Sequence, residues 1–193
     1  MLAIACLAGV GHAATLAREI GPAADTTPPV NVTVTDDGQY TPQTSEVHAT
    51  WSAEDPESGI DQYEYAVSST TGAAGIVANG NWQNVGTATQ GTRTSLALAE
   101  GQTYYVLVRA TNSVGLTSAE AHSDGIMVAP AVESIGLAKA LADGTPVSLR
   151  GKRATSNNYG GFFYLEELDR SSGIRIAGGR KRRDRQGSST WRV

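Results

Sequence analysis

One stretch of the sequence, GQTYYVLVRATNSVG at residues 101–115, constrains the fold more than any other. Its side chains alternate with a period of two, which is the pattern of a β-strand with one buried face, and Gly115 ends the run as a turn residue. The inward set is predicted to be Tyr104, Val106, Val108 and Ala110, and the outward set Tyr105, Leu107 and Arg109. The stretch therefore indicates one strand of a scaffold and not the wall of a catalytic pocket.

Shorter alternating runs separated by turn residues fill the chain from residue 27 to about residue 129. These runs place Val30, Val32 and Val34 on one face, Val47, Ala49 and Trp51 on the next, Tyr63, Tyr65 and Val67 on a third, Trp82 and Val85 in a short strand, and Leu96 with Leu98 in another. Together with the stretch above and a last strand ending near Val128, they predict seven strands in about 100 residues, which is the size of an antiparallel β-sandwich.

Charge divides the chain in two. Residues 1–149 carry 4 Lys and Arg against 15 Asp and Glu, whereas residues 150–193 carry 11 against 4, so the formal net charge of -4 combines two segments of opposite sign. Such a division indicates either an acidic module with a basic partner-binding tail or two segments of different origin. The single cysteine, Cys6, cannot form a disulfide within the chain, so packing must supply the stability.

Residues 1–26 admit two interpretations. The opening MLAIACLAGVGHA has the short apolar run of a signal peptide, but no Lys or Arg precedes it. The same residues also match the chain 104 positions later, where Leu2 aligns with Val106, Ile4 with Val108, Cys6 with Ala110, and Val10-Gly11 with Val114-Gly115. The segment is therefore predicted to be either the last strands of a preceding repeat or a signal-like segment, followed by the extended linker GPAADTTPP.

The central segment resembles a fibronectin type III domain. The residues that carry the resemblance are Trp51 on the second strand, Ile60, Tyr63 and Tyr65 on the third, and Leu98 six positions before Tyr104 in LAEGQTYYVLVRATNSVGLTS. The resemblance covers residues 27–129, within a domain predicted at 27–130, and implies a seven-stranded Ig-like sandwich in which Tyr104 is the tyrosine-corner residue. The segments DPESGIDQYEYAV and SDGIMV are similar to repeats of large bacterial and archaeal surface or secreted proteins.

Seven residues are predicted to form the structural core of this sandwich: Trp51, Tyr63, Tyr65, Leu98, Tyr104, Val106 and Val108. Folding alone accounts for them, because replacing a buried tryptophan by alanine costs about 3–5 kcal/mol while a domain has only about 5–15 kcal/mol of stability. On the outward face, Tyr105 and Arg109 are freer to bind a partner, although outward strand residues more commonly form cross-strand pairs.

The segment after residue 130 changes in character. Its start predicts a short helix with Ser134 as the N-cap and Gly144 as the stop, and strand-like pieces follow near 146–154, 161–167 and 173–177. Residues 132–177 are similar to the start of an OB-fold-like module that accompanies sandwich repeats in bacterial surface proteins. Because an OB barrel needs five strands, residues 131–178 are predicted to be a partial, incomplete OB-like segment that folds poorly by itself or adheres to other chains, and residues 179–193 to be a basic disordered tail.

The inventory of reactive side chains predicts no catalytic residue, no metal ligand and no cofactor. His12, His48 and His122 lack ligand spacing to one another and to Cys6, and no nucleophile elbow or phosphate-binding glycine loop occurs. The acidic turn at residues 54–61 offers oxygen atoms to calcium, with a solvated turn as the favoured alternative.

The basic run GRKRRDR at residues 179–185 raises the question of nucleic acid. Phe162 and Tyr164 could stack on bases if an OB sheet presented them. Because the barrel is predicted to be incomplete, a solvated tail is favoured and nucleic acid is not the expected partner.

The sequence therefore favours a non-catalytic β-sandwich spacer or binding module of a larger secreted or cell-surface multidomain protein. The alternatives are an accessory module of a carbohydrate-active enzyme whose catalytic domain is absent from this chain, and nucleic-acid binding through the basic OB-like end. Expected partners are neighbouring domains of a longer parent chain and a protein or carbohydrate surface. No run reaches the roughly 18 apolar residues that a membrane-spanning helix needs.

Overall fold

The computed structural model describes residues 24–155, 162–177, 182–183 and 189–192, with side chains as far as Ile176. Apart from one α-helix and one 3₁₀ turn, the regular elements in these ranges are all β-strands. The predicted end of a preceding repeat, or signal-like segment, lies almost wholly in residues 1–23, outside the described residues. None of the helices in the described part of the chain has the length and apolar character needed to cross a bilayer.

Nine strands form the central unit. In chain order they are β1 (Val30–Asp36), β2 (Tyr40–Thr41), β3 (Val47–Glu54), β4 (Ile60–Ser68), β5 (Gln83–Asn84), β6 (Gln90–Arg93), β7 (Thr103–Asn112), β8 (Ala121–His122) and β9 (Ile126–Val128). A 3₁₀ turn at Ala73–Gly75 follows β4.

The strands make two sheets. One has the order β1-β3-β6 and the other the order β2-β9-β7-β4-β5, with β8 also paired to β7. Every pairing is antiparallel except that of β2 with β9. Because β8 and β9 both pair with β7, they are two pieces of one last strand, and the unit has seven strand positions plus the short β2. This is the fibronectin type III, Ig-like β-sandwich fold.

The alternation of the sequence builds the core between the two sheets. On β3 every second residue from Val47 to Trp51 is buried, and on β7 every second residue from Tyr104 to Ala110 is buried. The buried cluster consists of Val47, Ala49, Trp51, Tyr63, Tyr65, Val67, Leu96, Leu98, Tyr104, Val106, Val108, Ala110, Ile126 and Val128. All seven residues of the predicted core set lie in it, each at most 5% exposed.

The first strand breaks the predicted alternation. Asn31 adopts a left-handed backbone conformation (φ 53°), and the register with β3 shifts between Val30 and Thr33. This bulge turns Val30 away from the core, so its side chain is 50% exposed, whereas Val32 and Val34 pack against the core as predicted. The expectation of one shared face for all three valines was therefore wrong at Val30.

One predicted strand is absent, because the segment that contains Leu96 and Leu98 is irregular. Leu96 and Leu98 were expected in a strand, but β6 ends at Arg93, and both leucines are buried in an irregular segment. The backbone nitrogen atoms of Leu96 and Leu98 donate to the carbonyl oxygens of Ser45 and Thr44, at 3.0 and 2.8 Å. The interior position of the leucines was thus readable from the sequence, while their hydrogen bonds to an irregular loop were not.

Leu107 was predicted to face outward, yet it is fully buried. Its register partner across β4 is Ala66, also fully buried. The neighbours of Leu107 on the same face, Tyr105 and Arg109, are engaged with the side chains of His122 and Trp82. Long side chains that lie along the outer face of the sheet therefore remove this leucine from solvent.

A second, smaller unit follows the sandwich. Its elements are α1 (Ile135–Lys139), β10 (Pro146–Val147), β11 (Arg153–Ala154), β12 (Phe162–Glu166), β13 (Gly173–Ala177), β14 (Arg182–Arg183) and β15 (Ser189–Arg192). They form sheets of order β11-β12-β13 and β10-β15-β14. The helix begins as predicted, since the Ser134 side chain accepts a hydrogen bond from Leu137 N at 3.1 Å.

This unit has a core of its own, formed by Ile135, Ala138, Val147, Leu149, Phe163, Leu165 and Ile176. Residues 179–193 were expected to be a disordered tail, but two pieces of that range are strands, and β15 pairs with β10. Without β15 the edge of β10 would expose unpaired backbone groups, and the Ser-Thr-Trp sequence of β15 suits a strand. No closed five-stranded barrel is formed by the described elements, and the OB-like assignment stays a prediction.

Candidate functional site

The aromatic residues that dominate the sequence pattern pack against one another inside the sandwich. The rings of Trp51 and Tyr65 stack with centroids 5.0 Å apart, and Tyr63 tilts against Trp51 at 6.4 Å. Trp51 Nε1 donates to the carbonyl oxygen of Ala88 at 2.9 Å, and the Tyr63 hydroxyl accepts from Ala53 N at 3.0 Å. Because the rings are buried and these polar atoms already have partners, the cluster is a structural core and not a ligand pocket.

Burial also affects the titration of one of these rings. Desolvation raises the pKa of Tyr65, and the nearby positive charge of Arg93 opposes the shift. The guanidinium of Arg93 lies over the Tyr65 ring, 5.6 Å from its centroid, and donates to the side chain of Gln83. The phenol is therefore neutral throughout the physiological range and offers no general base.

The outer face of the second sheet carries the two residues that were singled out as free to bind. Arg109 Nε donates to Glu64 Oε2 at 2.8 Å, and its guanidinium lies 4.5 Å from the centroid of the Trp82 ring. Tyr105 meets His122 edge-on, at 6.1 Å between ring centroids. Both outward residues therefore make contacts across strands or with an adjoining loop, as expected for outward strand residues that form cross-strand pairs. Trp82, expected within a strand, precedes β5 and forms this stack.

The outer face of the first sheet is lined with hydroxyl groups. A shallow groove of about 380 Å³ is bordered by Thr33, Thr35, Thr50, Trp51, Ser52, Thr89 and Gln90. Thr33 Oγ1 and Ser52 Oγ are 2.7 Å apart across β1 and β3. No motif in the sequence assigned a role to these residues, since alternating threonines are ordinary on a solvated sheet face. The groove holds hydrogen-bonding groups but no carboxylate or histidine, so it lacks the means for acid–base catalysis.

The acidic turn between β3 and β4 is closed by its own hydrogen bonds. Asp55 Oδ1 accepts from Ser58 N at 2.9 Å, and Gly59 N donates to the Asp55 carbonyl oxygen at 3.0 Å. Gly59 has φ 74°, a conformation that favours glycine. The backbone N–H of Ser58, followed by the amide of Asn112, holds the pKa of Asp55 below its ordinary value.

The turn was also considered as a calcium site, but its described residues do not supply a set of calcium ligands. The Asp55 carboxylate accepts hydrogen bonds from Ser58 N and from Asn112 Nδ2, and a neighbouring carboxylate, that of Asp25, shares the Asn112 amide. In the described ranges, no three His, Cys, Asp or Glu side chains are grouped in a way that could hold a metal ion. Hard cations such as Ca²⁺ take six to eight oxygen ligands, and the turn does not group that many. Its described geometry is that of a loop closed by hydrogen bonds.

The histidines are separate from one another. His48 Nδ1 lies 3.0 Å from Asp37 Oδ1, and His122 Nδ1 lies 2.9 Å from the carbonyl oxygen of Ser123. His12 lies outside the described residues. These partners are a carboxylate and a backbone carbonyl oxygen, so neither contact is a histidine–nucleophile pair.

A partly buried ion pair in the second unit was not indicated by any motif in the sequence. Lys152 Nζ donates to Glu167 Oε2 at 2.7 Å and to the carbonyl oxygen of Glu133 at 2.6 Å. Glu167 Oε1 accepts from Ile135 N at 2.6 Å, at the start of the helix. The pair thus joins three segments around the second core. Hydrogen bonding to Lys152 is the main reason why the pKa of Glu167 lies below its ordinary value.

The aromatic residues considered for base stacking lie on β12. Phe162 and Tyr164 meet edge-on with centroids 5.9 Å apart, and Arg175 lies over the Phe162 ring at 5.5 Å. Tyr164 is 44% exposed. Successive bases stack on aromatic ring faces that follow one another along a groove. Because the two rings are perpendicular, they do not present parallel faces of this kind.

Comparisons with known proteins add similarity of fold only. No family model matches the sequence, and no curated protein matches it. Among solved structures, titin module A71 from human cardiac muscle is 20% identical, over 51% of this chain and 88% of the module, with a TM-score of 0.35. A myokine structure is 17% identical, over 52% of this chain and 93% of that chain, with a TM-score of 0.30.

The FN1–FN3 domains of chicken CNTN1 match a longer part of the chain. They are 14% identical over 78% of this chain and 51% of theirs, with a TM-score of 0.35. Scores and identities of this size carry no argument about activity or partner. The fold rests on the strand order and the core described above.

Proposed function

We propose that this chain is a non-catalytic spacer module of a larger multidomain protein. The observation that carries the proposal is that the sandwich is hydrogen-bonded to the chain entering it and to the chain leaving it. At the entry, the linker residue Asp25 accepts hydrogen bonds from Ser58 and Asn112. A module held at both ends transmits position from one neighbour to the next, whereas flexible linkers would not.

The exit from the sandwich is fixed by strand β2 and by the loop before β7. Ala129 N donates to the carbonyl oxygen of Thr41 at 2.8 Å, and Ala131 N donates to Glu100 Oε2 at 3.0 Å. The second unit joins directly at this point, because Ser148 N donates to the carbonyl oxygen of Pro130 at 2.8 Å. The chain therefore passes from one unit to the next without a free linker.

The side chain of Arg150 adds a contact between the two units. Its Nη2 donates to the carbonyl oxygen of Pro42, at 2.9 Å, in the loop between β2 and β3. Just past the junction, within the second unit, Val132 N donates to the carbonyl oxygen of Ser148 at 3.0 Å. These contacts support a spacer that holds its C-terminal neighbour in one orientation.

The charge of the sandwich and the resemblance to surface-protein repeats support a setting outside the cell. Within residues 24–130 both arginines, Arg93 and Arg109, are engaged with neighbouring side chains, and the segment contains no lysine. A surface dominated by carboxylates keeps a repeated module soluble. The proposed partners are neighbouring domains of the parent chain.

Carbohydrate association is the second candidate, favoured by the hydroxyl-lined groove on the first sheet. Threonine and serine hydroxyls can donate to and accept from sugar hydroxyls. Titration of the labelled full chain with soluble oligosaccharides, followed by NMR, should shift the amides of Thr33, Thr50 and Ser52 if this role exists. Unchanged spectra at millimolar sugar would exclude it.

Force spectroscopy of the full chain tests the spacer role. The first and last strands, β1 and β9, lie in different sheets, so pulling on the two termini loads the interface between the sheets. We expect the sandwich to unfold in one cooperative event that adds about 350 Å of extended chain, the length of the segment from Val30 to Val128, separately from the second unit with its own core. A gradual extension without a discrete event would contradict a load-bearing module.

A further inference from the structure

Asn112, the last residue of β7, is the point where the linker meets the sandwich. Its side chain is polar but only 1% exposed. It lies between the linker before β1, the acidic turn before β4 and the loop after β7. Three segments that are distant in sequence therefore meet at one amide group.

The orientation of this amide is determined by its partners. Asn112 Oδ1 accepts from Leu116 N at 2.8 Å and from Val114 N at 3.3 Å. Since both partners are backbone N–H groups, the oxygen atom must face this loop, and the nitrogen atom must face the opposite side. The donor side of the amide is thus aimed at the linker and the acidic turn.

The donor side of Asn112 faces three acceptors. Nδ2 lies 2.8 Å from Asp25 Oδ2, 2.9 Å from Asp55 Oδ2 and 3.0 Å from the carbonyl oxygen of Thr27. Two of these acceptors belong to the linker and one to the acidic turn. One amide group therefore binds the linker to the loop that follows β3.

A second donor reinforces the same contact. Ser58 Oγ donates to Asp25 Oδ2 at 2.6 Å, and Thr27 N donates to Asp25 Oδ1 at 2.8 Å. Ser58 belongs to the acidic turn, so Asp25 is bound from β7 and from this turn together. The hydrogen bond from Ser58 is the main reason why the pKa of Asp25 lies below its ordinary value.

The arrangement places two carboxylates beside one amide. Asp25 and Asp55 carry like charges, and their repulsion opposes the contact. The N–H and O–H donors of Asn112 and Ser58 offset this repulsion, because hydrogen bonds to ionised acceptors are stronger than neutral ones. Replacing either Asp25 or Asn112 therefore removes hydrogen bonds that hold the linker against the sandwich.

We propose that Asp25, Asp55, Ser58 and Asn112 form a linker latch, which fixes residues 24–28 against the sandwich and thereby fixes the point at which the chain enters it. This inference rests on the proposed spacer function, and it names the contact that gives the spacer its orientation. The latch is a positioning device whose four side chains come from the linker, the acidic turn and the end of β7.

A spin label next to the latch tests it in the full chain. Cys6→Ser removes the native thiol, and Ala24→Cys places one label on the exposed residue before Asp25. We expect slow label motion in this background. Once Asp25→Ala is added, the rotational correlation time should fall to about one third of the background value or below, as for a free segment moving on the nanosecond scale. The matched control is Asp61→Ala, which removes a carboxylate at the start of β4 and should leave the label slow.

Asn112→Ala should release the label in the same way, provided that far-UV circular dichroism shows the sandwich intact. If Asn112→Ala does not fold, Asp25→Ala still decides, because Asp25 lies outside the strands and the core. A label that is already fast in the background protein, or that stays slow in Asp25→Ala, would overturn the latch. Neither result depends on the unfolding force, so failure of the latch and failure of the spacer role are separable.

Discussion

The hydroxyl oxygen of Tyr104 lies 2.8 Å from the backbone nitrogen of Ala99, from which it accepts a hydrogen bond. The contact closes the loop that leads into β7, and the Tyr104 ring is buried between the sheets, 5% exposed. It is the geometry expected of a tyrosine corner. A single oxygen atom therefore ties the loop before β7 to the core.

Tyr104→Phe should destabilise the full chain by about 1 kcal/mol, since it removes one hydrogen bond and keeps the ring. Urea unfolding followed by circular dichroism measures this change. Tyr105→Phe makes the same chemical change one residue later, on the outer face, and should alter the free energy of unfolding by less than about 0.5 kcal/mol. Equal effects of the two substitutions would contradict a specific role for the Tyr104 hydroxyl.

Trp51→Ala should be among the most destabilising substitutions in the sandwich. The side chain is 4% exposed and stacks on Tyr65, and its loss leaves a cavity that costs about 3–5 kcal/mol. Trp82→Ala removes the same type of residue from the outer face, where it stacks on Arg109, and should cost about 1 kcal/mol. Far-UV circular dichroism in urea compares the two without relying on tryptophan fluorescence. If the Trp82 variant proved the less stable, the assignment of inner and outer faces would be wrong.

The sequence predicted the strands best where each residue faces either one core or solvent. On β7 the period of two predicts the buried face because Tyr104, Val106 and Val108 all point between the sheets. It could not predict the bulge at Asn31, which depends on how β1 pairs with β3, and it missed the burial of Leu107 under long neighbouring side chains. Local alternation carries no information about such tertiary contacts.

The candidate sites were harder to predict because their members are distant in sequence. Asp25 and Asn112 are separated by 87 positions, and neither belongs to a motif. The sequence indicated the linker and the acidic turn as separate features, and only the pairing of β4 with β7 brings the turn beside the end of β7. Contacts made through the sheet register follow from the fold and not from spacing.

Acid should weaken the latch and the sandwich together. The pKa values of Asp25 and Asp55 are lowered in the folded protein, chiefly by hydrogen bonds from Ser58. A carboxylate whose folded pKa is depressed stabilises fully above its unfolded pKa, near 3.8, and this contribution is lost as the pH falls through the folded pKa. We therefore expect these two groups to leave stability unchanged between about pH 5 and 7 and to reduce it below about pH 4.

Asp25→Asn and Asp55→Asn test this assignment. Urea midpoints of the full chain, measured from pH 7 to pH 3, should fall less steeply at acid pH in each variant than in the native protein, because the titrating group is gone. Asp61→Asn is the control and should keep the native slope. A native slope in both test variants would show that other carboxylates cause the acid dependence.

The ion pair between Lys152 and Glu167 should decide whether the second unit holds together. Glu167 accepts from Lys152 Nζ and from Ile135 N, so Glu167→Ala leaves the nearly buried lysine paired only with a carbonyl oxygen. We expect faster hydrogen exchange across residues 132–154 and 162–176, with exchange in the sandwich strands unchanged. Glu166→Ala, the same change one residue earlier, should leave both regions as in the native protein. Unaltered exchange in Glu167→Ala would mean that the second core is held by its apolar residues alone, since Lys152 would then have lost its carboxylate without consequence.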